Sequence, residues 1–217
     1  MTATLYIVRH GNTFDKGDTV TRVGGRTDLP LSVSGLKQAA ALADHFEKQG
    51  VSFATASTSP LKRTRVTAET ILASQSAAPD LKTRLFLREI DYGPDENKPE
   101  PEVLARIGEV ALHAWETEGT TPPGWRVDPQ ALIGNWQELF RELGAIHDAH
   151  LIVTSNGIAR FALKAAGAEA AHTLKLATGA YGVIDLDGEV KQGHHSASLT
   201  MATAAITVRD WNIRPAS

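Results

Sequence analysis

Short, continuously apolar segments alternate along this chain with longer segments whose apolar residues recur every three or four positions. The short segments are typical of buried strands. They cover residues 3–8, 51–58, 151–154 and 181–186. Asp187-Gly188 is a hairpin turn signal leading into Glu189-Val190, and residues 204–209 are a further candidate strand.

Amphipathic helices are predicted between these strands. Ser34 can cap a helix with apolar residues from Leu36 to Phe46, and Ser59-Pro60 supplies a capping hydroxyl followed by a proline for a first helical position. A third helix begins near Gly157. Alternating strands and helices predict an α/β fold with a mostly parallel, open sheet flanked by helices on both faces.

Residues 93–130 interrupt the alternation with six prolines and two tryptophans. Residues 103–115 and 131–147 nevertheless have the spacing of helices. Because a long structureless loop is improbable in a compact domain, we expect a helical insertion over the sheet edge, at about 93–147.

Composition narrows the function classes. The length of 217 residues predicts one domain, 1–217, and the absence of cysteine excludes disulfide, zinc-thiolate and cysteine-nucleophile chemistry. A formal net charge of −3, with no basic excess, predicts no nucleic-acid partner. No apolar run approaches the ~18 residues of a membrane span and no secretory signal is visible, so we expect no membrane partner and, by default, a cytoplasmic location. The sequence does not determine the oligomeric state.

Polar residues follow three of the predicted strands. Arg9-His10 follows the first, Ser59 and Arg63 follow the second, and 154–157 (TSNG) follows the third and opens a helix. The carboxyl ends of parallel strands meet at one edge of a sheet, where α/β proteins build their sites. Two guanidinium groups, an imidazole, an amide and a helix N-terminus at one edge favour a phosphate pocket with a candidate nucleophile.

Each residue alone has a simpler interpretation. A single His is more often an ordinary polar residue, Arg63 would be a solvated helix charge, and Asn156 before a helix is first of all an N-cap. His147 and His150 lie three apart without a convincing third ligand, so we expect no metal and no cofactor. The joint placement after successive strands is what favours a site.

Four blocks in the first 93 residues resemble the histidine phosphatase superfamily, which has the phosphoglycerate-mutase-like fold. The blocks are 5–13 (LYIVRHGNT), 25–32 (GRTDLPLS) with Gly35 and Gln38-Ala39, 59–63 (SPLKR) with 67–69 (TAE), and 87–93 (LREIDYG). Residues 151–163 and 180–188 match more loosely.

The resemblance implies a role for each motif residue. His10 would attack phosphorus and become phosphohistidine, Arg9 and Arg63 would hold the equatorial oxygens, and Glu89 would protonate the leaving alkoxide and then deprotonate the attacking water. Gly157 would contribute its amide to substrate binding. None of these steps requires a metal.

The chain departs from the family pattern where Asn156 replaces the usual second His. A neutral amide donates hydrogen bonds but carries no charge, so transition-state stabilisation is expected to be weaker unless another cation compensates. Arg22, which matches an Arg-x-x-Gly block, and Lys16 are candidates; a solvated loop charge is an equally good interpretation of Arg22. Residues 95–100 can contact the non-phosphate end of a substrate or be a solvated loop, and His194-His195 are taken as surface residues.

The leading hypothesis is a metal-independent phosphomonoesterase that acts on a small phosphorylated metabolite. A phosphoglycerate mutase is the first alternative, although the segment after Glu89 does not resemble the mutase substrate loop. A weakly active or non-catalytic phosphate-ester binding module is the second.

Overall fold

The computed structural model describes residues 2–188 and 205–215, which build one six-stranded sheet in the order β3-β2-β4-β1-β5-β6. β3, β2, β4 and β1 are mutually parallel, whereas β5 is antiparallel to β1 and β6 is antiparallel to β5. The strands are β1 (Thr2–Arg9), β2 (Phe53–Thr58), β3 (Leu81–Thr83), β4 (Ala149–Thr154), β5 (Tyr181–Asp187) and β6 (Ala205–Ile213). The α/β fold is confirmed as a mixed sheet, and the three-residue β3 is an addition to the predicted strands.

Helices cover both faces of the sheet. They are α1 (Val33–Lys48), α2 (Lys62–Ala73), α3 (Glu100–Thr117), α4 (Pro129–Gly144) and α5 (Asn156–Ala165), with 3-10 turns at Leu85–Leu87 and Gly93–Asp95. Because side chains alternate along a strand, Leu5 and Ile7 of β1 join the core with α4 and α5, whereas Val8 joins the core with α1 and α2.

Two predicted helix starts are corrected. Ser32, not Ser34, caps α1: its Oγ accepts from the Gly35 amide at 3.2 Å. Pro60 is not the first residue of α2, which begins at Lys62 after Leu61; the Ser59 Oγ instead accepts from the Leu61 amide at 3.2 Å.

Helices α3 and α4 occupy the expected insertion at 93–147, and both pack into the same core as Leu5 and Ile7. α4 contributes Trp136, Leu139 and Phe140, whereas α3 and the loop after it contribute Val103, Trp115 and Trp125. That this region is an insertion therefore stays a prediction. No described helix has the length and apolar character needed to cross a membrane.

The sheet topology places the candidate residues at one edge. Arg9 at the end of β1 pairs with Thr154 at the end of β4, and Thr58 at the end of β2 pairs with Val153. The residues after all three strands therefore leave the sheet side by side, as the sequence predicts. The turn into Glu189-Val190, and His194-His195, lie outside the described residues.

Candidate active site

A cavity of about 880 Å³ opens at this carboxyl edge of the sheet. Five of the predicted site residues line it: Arg9, His10, Arg22, Glu89 and Asn156. Arg63 and Gly157 do not line it. Each contacts a residue that does: Arg63 contacts His10 and Gly157 contacts Glu89. The volume falls in the upper part of the range of about 300–1,000 Å³ that is usual for small-molecule sites.

The His10 ring is buried and oriented by both of its nitrogens. Nδ1 lies 2.7 Å from the Gly11 carbonyl oxygen, which only accepts hydrogen bonds, so Nδ1 carries the ring proton. Nε2 then holds the free lone pair and accepts from Nε of Arg63 at 3.2 Å. Burial, followed by the charges of Arg63 and Arg9, lowers the pKa of His10 well below its usual value. The ring is therefore neutral, with its lone pair on Nε2.

Arg63 lies fully buried behind His10 and is not a solvated helix charge. Its Nη1 donates to the Thr27 carbonyl at 2.8 Å and its Nη2 to the Gly24 carbonyl at 3.2 Å. These bonds hold the guanidinium so that its Nε faces Nε2 of His10. The same N–H can turn to an oxygen of a phosphoryl group on Nε2.

One peptide segment positions Arg9 and Asn156 together. The Leu176 carbonyl accepts from Nη1 of Arg9 at 2.9 Å, and the Leu176 amide donates to Oδ1 of Asn156 at 2.7 Å. The N-cap of α5 is Ser155, so Asn156 does not serve as the cap. With its oxygen engaged, the Asn156 side chain has only N–H donors to offer to a ligand.

Glu89 occupies the N-terminus of α5. Its Oε2 accepts from the Gly157 amide at 3.2 Å and its Oε1 from the Ile90 amide at 3.0 Å. This corrects the prediction for Gly157, whose amide binds Glu89 and is not presented to the cavity. A Cβ at Gly157 would collide with the Glu89 carboxylate, so the glycine is required for this close approach.

Arg22 is part of the cavity wall and is not a solvated loop charge. Its side chain is 14% exposed, forms an ion pair with Glu100, and stacks over the rings of Tyr92 and Trp125 at 5.2 and 4.9 Å. Lys16, in contrast, is exposed in a turn and does not line the cavity, so the prediction that it compensates for Asn156 is wrong.

Residues 95–100 are largely structural. Asp95 is buried and accepts from Arg106 and, at 2.6 Å, from Nε1 of Trp125. Glu96 accepts from the Arg26 amide and from the Thr27 hydroxyl, both at 2.9 Å. Within this stretch Glu100 lines the cavity, so the segment is not a solvated loop.

One of the two histidines considered for zinc has both ring nitrogens engaged elsewhere. Nδ1 and Nε2 of the buried His150 lie 2.9 Å from the Thr55 hydroxyl and the Ile146 carbonyl. Across residues 2–188 and 205–215, no three His, Cys, Asp or Glu side chains are grouped so as to hold a metal ion.

Two residues that sequence reasoning did not assign also line the cavity. Tyr92 is buried beside Glu89. Its desolvation, followed by the interaction with Glu89, raises the pKa of its phenol, so the phenol stays protonated. Arg160 is one helical turn after Asn156, and its guanidinium lies 3.9 Å from the centroid of the Trp115 ring. The i, i+4 spacing from Asn156 was the available signal for Arg160.

A model of the histidine phosphatase superfamily (branch 1) matches residues 5–196, which include all of these site residues. The chain belongs to the histidine phosphatase superfamily. Among curated relatives, a 2,3-bisphosphoglycerate-dependent phosphoglycerate mutase of Brucella anthropi is 33% identical over 125 residues, which are 57% of this chain and 59% of that enzyme. The Brucella ovis enzyme of the same name is 31% identical over 161 residues, 69% of this chain and 77% of that enzyme.

Solved structures share the fold at lower identity. A mycobacterial glucosyl-3-phosphoglycerate phosphatase superposes with a TM-score of 0.74 and 18% identity, covering 98% of this chain and 99% of that one. A putative alpha-ribazole-5'-P phosphatase of Escherichia coli superposes with a TM-score of 0.66 and 20% identity, covering 99% of this chain and 98% of that one. Membership of the histidine phosphatase superfamily supports phosphoryl-transfer or phosphatase activity, while these neighbours show the shared fold alone.

Proposed function

We propose that this protein is a metal-independent phosphomonoesterase that hydrolyses a small phosphorylated metabolite through a phosphohistidine at His10. The observation that carries the proposal is the state of the His10 ring. Its Nδ1 contacts a carbonyl oxygen, which leaves the lone pair on Nε2; the residue lines the cavity, and Nε2 faces the guanidinium of Arg63, which can balance the negative charge of an incoming phosphoryl group.

The first half-reaction forms a covalent intermediate. Nε2 of His10 attacks phosphorus and the bond to the ester oxygen breaks, while the carboxyl of Glu89 donates its proton to the leaving alkoxide. Negative charge on the transferring oxygens is balanced by Arg9 and Arg63, since phosphoryl transfer depends mainly on such electrostatic stabilisation.

The second half-reaction restores the enzyme. The Glu89 carboxylate takes a proton from water, the resulting hydroxide attacks phosphorus, and the bond to Nε2 breaks. Orthophosphate leaves, His10 is again neutral, and Glu89 is again protonated. Both half-reactions use the same carboxyl group, first as an acid and then as a base.

The test compares the wild type with His10→Ala on a panel of phosphorylated metabolites. We expect orthophosphate release by the wild type in the presence of EDTA, none by the variant, and an acid-labile phosphoryl label on the wild type alone. Turnover by His10→Ala would identify another nucleophile. Phosphate-ester binding by the wild type without any turnover would instead support a binding module.

Phosphoglycerate mutase activity is the second candidate, because the curated relatives at 31–33% identity carry that name. A mutase must return the phosphoryl group to a second hydroxyl before water reaches it. Incubation with 3-phosphoglycerate and 2,3-bisphosphoglycerate, followed by ³¹P NMR, separates the two. We expect orthophosphate; equilibration with 2-phosphoglycerate and little orthophosphate would favour the mutase.

A further inference from the structure

Asn156 is neutral, so its part of the cavity lacks the positive charge that an imidazolium would carry. Arg160 is placed to supply a positive charge there. The two residues lie at i and i+4 on α5, so they project from the same face of the helix, and both line the cavity that contains His10 and Glu89. Arg160 is only 2% exposed, which is unusual for an arginine without an acidic partner.

The guanidinium of Arg160 is oriented by neutral groups. Its Nη1 donates to the Trp115 carbonyl, its Cζ lies 3.9 Å from the centroid of the Trp115 ring, and its Nε lies 3.5 Å from the Asn156 carbonyl oxygen. No carboxylate of residues 2–188 or 205–215 lies within ion-pair distance of it, and its Nη2 has no hydrogen-bond partner there. Burial lowers the pKa of Arg160 to about 10, so it remains charged at neutral pH.

Glu89 and Tyr92 line the same cavity as Arg160, and both act against the lowering of the Arg160 pKa by burial. Arg160 therefore adds positive charge to the cavity that contains Glu89.

Neither cation considered from the sequence is free to compensate for Asn156. Lys16 does not line the cavity, and Arg22 is paired with Glu100. We propose that Arg160 binds an oxygen of the transferring phosphoryl group on the Glu89 side and replaces the positive charge that Asn156 lacks. This inference rests on the proposed phosphatase function and specifies how the same site carries it out.

A double-mutant cycle between positions 156 and 160 tests the proposal. We expect Arg160→Met to lower kcat/KM for p-nitrophenyl phosphate by about 10²-fold, the loss that follows removal of one preorganised oxyanion donor. Asn156→His should then restore at least about tenfold in the Arg160→Met background, and give little or no gain when Arg160 is present, because one charge is sufficient.

Orthovanadate, a mimic of pentacoordinate phosphorus, gives a second readout. Its inhibition constant should rise in parallel with the loss of kcat/KM in Arg160→Met and fall again in the double variant. A merely structural role for Arg160 would not produce rescue by a histidine at position 156. Arg141→Met removes an exposed arginine of α4 and is the matched control, expected to leave both quantities unchanged.

Thermal unfolding accompanies each measurement, because Arg160 is buried. If Arg160→Met does not fold, Arg160→Lys keeps the charge and a donor for the Trp115 carbonyl. In the Arg160→Lys background, Asn156→His should again raise kcat/KM only slightly. A rise in kcat/KM of tenfold or more would overturn the proposal. Equal effects of Asn156→His with arginine and with methionine at position 160, or a folded Arg160→Met with wild-type kinetics, would also overturn it. Absence of His10-dependent turnover in the wild type would instead remove the phosphatase function itself.

Discussion

At the scale of single residues, two hydrogen bonds determine the chemistry of His10. The Gly11 carbonyl requires the proton on Nδ1, and Nε of Arg63 requires the lone pair on Nε2. An imidazole usually takes a second proton near pH 6.5. Burial and two neighbouring guanidinium groups lower the pKa of His10, so the neutral, nucleophilic form persists as the pH falls below that value.

This predicts a specific NMR titration. In the ligand-free protein, long-range ¹H–¹⁵N spectra should show His10 as the Nδ1–H tautomer at pH 7 and still neutral at about pH 6. Arg63→Met should raise the pKa of His10, because it removes one of the opposing charges. Protonation of the wild-type ring near pH 6.5, or the Nε2–H tautomer, would contradict the site described above.

Glu89 gives a second prediction at the same scale. A general acid contributes typically 10²–10⁴-fold, and most where the leaving alkoxide is strongly basic. We expect Glu89→Gln to lower kcat/KM by about 10²-fold or more for an alkyl phosphate, but by less than about tenfold for p-nitrophenyl phosphate. Because kcat/KM reports steps up to phosphoryl transfer, equal losses on the two substrates would remove the proton-donor role.

At the scale of elements, the start of α5 positions Glu89, the proposed proton donor. The Gly157 amide at the start of the helix donates to Oε2 of Glu89 and fixes the orientation of the carboxyl group. The close approach leaves no space for a side chain at position 157. The conformation at Gly157 is compatible with alanine; the severe conflict is with the Glu89 carboxylate, and a lesser one is with Cγ1 of Ile90 at 3.2 Å.

Gly157→Ala is therefore expected to displace Glu89 and to reproduce the selective loss on alkyl phosphates, with the His10 label still formed from p-nitrophenyl phosphate. The control is Gly134→Ala in α4, where an added Cβ meets nothing within 4 Å. That change should leave kinetics unaffected and stabilise the protein by up to about 1 kcal/mol, since alanine is the better helix former. Loss of activity on both substrates in Gly157→Ala would indicate a wider disturbance than the one proposed.

The features that could be predicted from the sequence are those that depend on residues close together along the chain. The alternation of strands and helices and the polar residues after β1, β2 and β4 were enough to predict the edge at which the site lies. The partner of the Gly157 amide was not predictable, because Glu89 is 68 residues away and a glycine opening a helix is equally suited to bind a ligand anion. β3 was missed because three residues, Leu81–Thr83, show no periodicity. The i, i+4 spacing from Asn156 was visible for Arg160, but its burial against Trp115 was not, because Trp115 is 45 residues away along the chain.

At the scale of the whole molecule, the loop after β1 and the residues at the start of α3 together form one wall of the cavity. The Arg22 amide donates to the Lys98 carbonyl at 2.9 Å, the Asn97 amide to the Arg22 carbonyl at 2.8 Å, and the Arg22 side chain pairs with Glu100. One arginine thus links the loop after β1 to the start of α3. Its stacking on Tyr92 and Trp125 holds the guanidinium in place independently of Glu100.

That arrangement makes Glu100 a competitor for the ligand. Its carboxylate is 46% exposed, so the pair stabilises the fold by about 1 kcal/mol or less, while it occupies a cation that could bind an anionic substrate. We expect Glu100→Gln to lower KM for phosphorylated metabolites by up to about fivefold, with kcat nearly unchanged, because Arg22 stays stacked and gains a free charge. The control is Glu102→Gln, also in α3, which removes an exposed carboxylate paired with Lys98. It should change neither KM nor kcat. An unchanged or raised KM in Glu100→Gln would mean that Arg22 serves to join the two segments and takes no part in binding the substrate.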